Sequence, residues 1–144
     1  AHIRSNSAAR QKAVAIADHI ERLNAPMALL SQETCPDCES PCCQRATLWY
    51  DLADLLTMGF AGLPWPESQP MAAVGAPCRY LGASGCRLPR PRRPWICTWY
   101  LCPRQTAFLA ASHPSDRRII EANLAGVKRL RHELVGDFIA AACG

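Results

Sequence analysis

Eight cysteines fall in one ordered run between Cys35 and Cys102, and whatever fold this chain adopts has to gather them. The stretch CPDCESPCC holds Cys35, Cys38, Cys42 and Cys43, and Cys78, Cys86, Cys97 and Cys102 follow. A ninth, Cys143, stands near the C-terminus and outside the pattern. A buried free cysteine behaves as a small hydrophobe and gains nothing from crowding. Four thiols within nine residues therefore point to thiolate ligands for a soft metal ion or an iron–sulfur cluster.

A secreted disulfide framework is the competing reading. The odd count and the vicinal Cys42–Cys43 pair speak against it, as does an N-terminal stretch, AHIRSNSAARQK, without an apolar signal core. CxxC spacing also serves redox enzymes, but no βαβ pattern surrounds it here. The expectation is a reduced, cytoplasmic, metal-binding chain. No run of 18 apolar residues is present, so no membrane span is expected.

The length of 144 residues suits one domain, 1–144, and is enough to bury a core that does not depend wholly on metal. Charged residues at 19% and apolar ones at 49% exclude a disordered chain. Three segments follow from the periodicity. Residues 1–31 carry N-terminal helices, with Ile16, Ile20, Leu23, Met27 and Leu30 as one stripe. Pro26 predicts a break near Asn24–Pro26 and a short helix over Met27–Ser31.

Residues 32–113 form the cysteine-rich region, loop-rich because most of the prolines lie there. Inside it a helix is expected over Thr47–Met58, capped by Thr47 and ended by Gly59. Trp65, in the following GLPWPESQP loop, reads as an anchor on the core, and a short helix is expected over Arg104–Ala111. Residues 114–144 read as a C-terminal helix capped by Ser115, with Ile120, Leu124, Val127, Leu130, Leu134, Phe138 and Ala141 inward. Arg117, Arg118, Lys128, Arg129 and Arg131 fall mostly on the solvated face. The fold class is mainly α: a small helical domain with an irregular cysteine-rich metal-binding core and little or no β.

The CxxC turn Cys35-Pro-Asp-Cys38 places two sulfurs at a spacing suited to tetrahedral ligation, with metal–sulfur bonds near ~2.3 Å. Adjacent side chains diverge, so Cys42 and Cys43 are not equivalent ligands of one zinc ion. Two neighbouring sites, or a cluster with more than one metal, use the pair most fully. The aromatic residues of TWYL, between Cys97 and Cys102, are placed to shield a cluster from water. Between Ser84 and Arg104 lie five arginines and no acidic residue. The loop Arg87–Arg93 is suited to offset thiolate charge.

The cysteine order, with CRYL, the Gly85–Cys86 pair and Arg93-Pro94 before Cys97, resembles the bacterial zinc- or iron-chelating CxxCxxCC domain, the YkgJ-like proteins. The resemblance covers Cys35 to Cys102, about half the chain. It implies Cys35, Cys38, Cys42, Cys43, Cys78, Cys86, Cys97 and Cys102 as metal ligands. A related domain accompanies flagellin lysine-N-methylases and an iron–sulfur cluster, which places a [4Fe–4S] cluster ahead of Zn2+. This chain departs from the pattern in having three residues between Cys38 and the vicinal pair, Leu88-Pro89 after Cys86, and Thr98 after Cys97.

A redox, sensing or structural metalloprotein, more fitting as a non-catalytic module than as an enzyme, is the leading expectation. An accessory domain or subunit of a methyl-transfer or other enzyme, working with a protein partner, is the alternative. His2, His19, His113 and His132 show no ligand spacing, and no nucleophile motif or phosphate loop is present. Asp51 and Asp54 read as capping or solvated residues. Nucleic-acid binding through Arg87–Arg93 beside Trp95 is a third and less favoured reading.

Overall fold

The computed structural model describes residues 6–144, so His2 lies outside the described residues. Seven helices are present among them: α1 (Ser7–Arg22), α2 (Asn24–Thr34), α3 (Cys42–Arg45), α4 (Leu52–Ala61), α5 (Ile96–Trp99), α6 (Pro103–Ser112) and α7 (Pro114–Cys143). Leu81–Gly82 (β1) and Gly85–Cys86 (β2) form a small antiparallel hairpin that pairs Leu81 with Cys86. The mainly helical expectation holds.

The core is a three-helix packing of α1, α4 and α7. Ala9, Ala13, Ile16 and Ile20 of α1 meet Leu56 and Phe60 of α4 and Val127, Leu130 and Leu134 of α7. A second cluster joins Leu23, Met27 and Leu30 to Leu109 of α6 and Ile120 of α7. Each fully buried Val, Leu or Ile among them contributes about 1.5–3 kcal/mol over leaving it in water. Both clusters are built by the terminal helices together with α4 and α6, and none of their residues is a cysteine, so the thiols are carried on a frame that does not itself consist of cysteines.

Local chemistry moves several helix boundaries. Asn6 caps α1, its side-chain oxygen accepting from Ala9 N at 3.0 Å. The break with α2 falls at Leu23. Pro26 sits at the third position of α2, where a missing N–H is tolerated in the first turn, so α2 runs on to Thr34 rather than ending at Ser31. The expected Thr47–Met58 helix is corrected to Leu52–Ala61. Asp51 and Asp54 form a reciprocal capping box that fixes its start, and Gly62, at φ 72°, ends it in the left-handed region that favours glycine.

Residues before that cap are extended instead. Tyr50 N donates to Gln69 Oε1 at 2.7 Å, and Gln69 Nε2 returns to Tyr50 O at 3.2 Å. Trp65 is 60% exposed, lying across Gly59 as a lid on α4 and not as a core anchor. Helix α7 begins at Pro114, whose fixed φ suits the first helical position, and Ser115 provides no cap. No helix among the described residues is long and apolar enough to cross a membrane.

Candidate metal centre

The cysteines reach the site from short, irregular pieces. Cys35 closes α2, and Cys38 N donates to Cys35 O at 3.1 Å, which folds CPDC into a turn. Cys42 and Cys43 open the four-residue helix α3. Cys78 N donates to Cys43 O at 3.0 Å and draws the later segment alongside. Cys86 ends the hairpin, Cys97 sits in α5, and Cys102 occupies the N-cap position of α6. All nine cysteines are free thiols.

The vicinal pair is divided between two neighbourhoods. Partial desolvation first, and then the like charges of Cys102, Cys35 and Cys38, push the Cys42 thiol above its ordinary value although the residue is exposed. Burial likewise raises Cys43, but its thiol neighbours are Cys78 and Cys86 and then Cys42, with Arg93 opposing. Cys97 is pushed up to about 12 by burial and then by Cys43, Cys86 and Cys78. By these thiol neighbours Cys42 goes with Cys35, Cys38 and Cys102, called the outer quartet below, and Cys43 and Cys97 go with Cys78 and Cys86, called the inner quartet. Among the described residues, no three His, Cys, Asp or Glu side chains form a group drawn together to hold a metal ion.

The surroundings test whether the donors fit a metal. Around the outer quartet, Gln105 is a bridge. Its backbone N–H donates to Cys102 Sγ at 3.4 Å, its side-chain Nε2 to Cys35 Sγ at 3.8 Å, and its Oε1 accepts from Cys102 N at 3.3 Å. Donors aimed at sulfur stabilise thiolate ligands. Arg104 Nη2 lies 3.0 Å from both Asp37 oxygens, which ties the CPDC turn to α6. That guanidinium also holds the Asp37 carboxyl below its usual range.

Around the inner quartet, two buried polar atoms lack a partner, Arg90 Nε and Thr98 Oγ1. Arg90 is 5% exposed and forms no ion pair with a carboxylate among the described residues. Burial, and then Arg93, lower it to about 10, while Cys86 and Cys97 pull it back up. A buried guanidinium without a counter-charge is costly. The anionic groups shown to act on it are Cys86 and Cys97, once deprotonated. All-sulfur donors, N–H groups aimed at sulfur and an unmatched buried cation fit a thiolate-bound soft metal.

The inner quartet is also fastened to the helical core. Arg131 of α7, 7% exposed, donates to Asp54 Oδ1 at 2.7 Å and to both Asp51 oxygens at 2.6 and 2.7 Å. Asp54 Oδ1 in turn accepts from Trp95 N at 3.1 Å, and the Arg131 guanidinium lies 5.3 Å from the centre of the Trp95 ring. Burial pushes the Asp54 carboxyl upward against the pull of Arg131. Asp51 and Asp54 are therefore caps, as expected, but also counter-ions, and Arg131 belongs to the interior and not to the solvated face. Tyr50 adds a hydroxyl donated to Arg92 O at 2.8 Å.

Other expectations change here. Arg93 Nε donates to Leu88 O at 2.9 Å, Arg87 donates to Arg79 O, and Arg90 is buried. Two of the loop's arginines, Arg87 and Arg93, thus brace nearby backbone carbonyls. Trp99 and Tyr100 are half exposed, packing edge-on against each other at 6.0 Å between ring centres instead of forming a buried shield. His19 bonds Asn123 at 2.9 Å, and His113 stacks on Phe108. Cys143 is exposed at the end of α7. Gln105 is the residue that sequence reasoning missed; Arg131 is named there but assigned to the solvated face, and Arg90 only as one of the loop's arginines. The spacing Cys102-x-x-Gln105, a cysteine version of the capping box, was the available signal for Gln105.

No protein-family model matches this chain, and no curated protein or solved structure matches it either.

Proposed function

We propose that the protein is a thiolate metal-binding module with two four-cysteine sites, of the kind its CxxCxxCC-like order implies. Cys35, Cys38, Cys42 and Cys102 would hold one centre, and Cys43, Cys78, Cys86 and Cys97 the other. The observation that carries this reading is the division of the vicinal pair, with Cys42 among one set of thiols and Cys43 among the other. Such a division uses all eight cysteines without asking adjacent side chains to bind one ion.

The bound metal supplies charge neutralisation of the thiolates, and an iron–sulfur cluster would add one-electron redox chemistry. The chain's own residues do the rest. Gln105 orients Cys102 and Cys35, Arg90 and Arg93 balance negative charge at the inner site, and the Asp54–Trp95 contact holds the segment carrying Cys97. The role we assign to the chain is redox, sensing or structural, with service as an accessory domain of a larger enzyme as the alternative. The cytoplasmic placement expected from the reduced thiols belongs to the same proposal.

Metal and acid-labile sulfide analysis of protein purified without oxygen tests this reading. An iron–sulfur centre gives about four irons and four sulfides per cluster, whereas zinc sites give one ion per quartet and no sulfide. Protein that retains neither metal, even after reconstitution, overturns it.

A further inference from the structure

The two quartets differ in how they meet solvent and in how they are held. In the outer quartet Cys35 and Cys42 are exposed, whereas no cysteine of the inner quartet is. The outer sulfurs are supported from α6, where Arg104 is itself exposed, and by an Arg104–Asp37 bridge with side chains 49% and 73% accessible. Exposed bridges of this kind stabilise little. The inner quartet is tied to β1–β2, to Leu88 O through Arg93 and to the α4–α7 interior through Trp95. Its counter-charge, Arg90, is buried.

We propose, resting on the two-site reading above, that the outer quartet is an exchange site for a soft, thiophilic metal ion and the inner quartet a permanent structural site. An incoming chelator or thiolate carrier reaches Cys35 and Cys42 without unfolding any helix of the core. The ion leaves with the incoming ligand, and each freed thiolate takes up a proton from water. No electron is transferred. Release from the inner site instead requires the Trp95 segment to detach from Asp54 and leaves Arg90 buried without a counter-charge. Gln105 is a positioning residue for the outer site only.

The test uses the full chain reconstituted with zinc under anaerobic conditions and challenged with excess chelator. Two phases of equal amplitude are expected, with alkylation of Cys35, Cys38, Cys42 and Cys102 following the fast phase and that of Cys43, Cys78, Cys86 and Cys97 the slow one. Gln105→Ala should weaken the fast-phase site by about 10- to 100-fold, the usual effect of losing a hydrogen-bond partner to a ligand, and leave the slow phase unchanged. Alkylation mapping needs no variant, so misfolding of a cysteine mutant does not blunt the experiment. Release of all zinc in one phase, or early alkylation of the inner quartet, overturns the exchange site while leaving the two-site reading intact. Failure to bind zinc or iron at all overturns both.

Discussion

Cys42 and Cys43 are consecutive residues on α3, yet Cys42 stands among Cys35, Cys38 and Cys102 while Cys43 stands among Cys78 and Cys86. A helix as short as α3 contributes little stability of its own. Its value is directional: neighbouring helical positions project about 100° apart, so one turn can serve two sites without strain. On the two-site proposal, the adjacent pair joins the two quartets.

Arg90 gives the first prediction. In metal-free protein its buried guanidinium has an unpartnered Nε, so Arg90→Met should raise the melting temperature of the apoprotein. The same substitution removes positive charge from the inner site and should lower its metal affinity. Paired melting curves and metal titrations check both signs. A variant less stable without metal, or equally tight with it, would sink the counter-charge role.

Arg131→Ala should destabilise the fold by about 3–5 kcal/mol, because it leaves the Asp54 carboxylate buried without its cation. Urea unfolding measures this directly. Arg129→Ala, two residues earlier on α7 and exposed, should cost no more than about 0.5 kcal/mol. Similar losses for the two would show that Arg131 is a surface residue after all.

A pH series separates apo from loaded protein. Cys97 rises from 9.0 to about 12 on folding, and Cys42 and Cys43 shift in the same direction. The fold favours their neutral forms, so this contribution is complete below pH 9.0 and is lost as pH climbs through about 12. Melting temperature of the reduced apoprotein should therefore fall across the alkaline range. Metal-loaded protein should lose stability in the opposite direction, as falling pH returns protons to the ligands.

Gly62→Ala should cost about 1 kcal/mol or more, since alanine resists the φ of 72° that ends α4. Gly136→Ala, in the middle of α7 with nothing near its added methyl, should instead stabilise by about 0.5–1 kcal/mol. Thermal unfolding of the pair tests whether α4 ends where the structure ends it.

Much of the frame was legible in the sequence because the α1 and α7 stripes repeat at helical spacing over many turns. Ile16, Ile20, Val127, Leu130 and Leu134 are all buried where the periodicity puts them. The start of α4 was misread because Leu48 continues the apolar pattern of Leu52 and Leu56, while the stronger signal was Asp51-x-x-Asp54. Burial of Arg131 is invisible to periodicity, since it depends on two carboxylates 77 and 80 residues away. The cysteine list was plain from spacing. Its division into quartets was not, because that depends on how the hairpin and α6 return to α3.

The most direct test of the two-site account is to substitute Cys42 and Cys43 separately with serine and count metal per chain. Each variant should keep half of the wild-type metal, and the losses should fall on different centres: Cys42→Ser retains the chelator-resistant half and Cys43→Ser the labile half. Loss of all metal from either variant, or a full complement in one of them, would contradict the division of the vicinal pair.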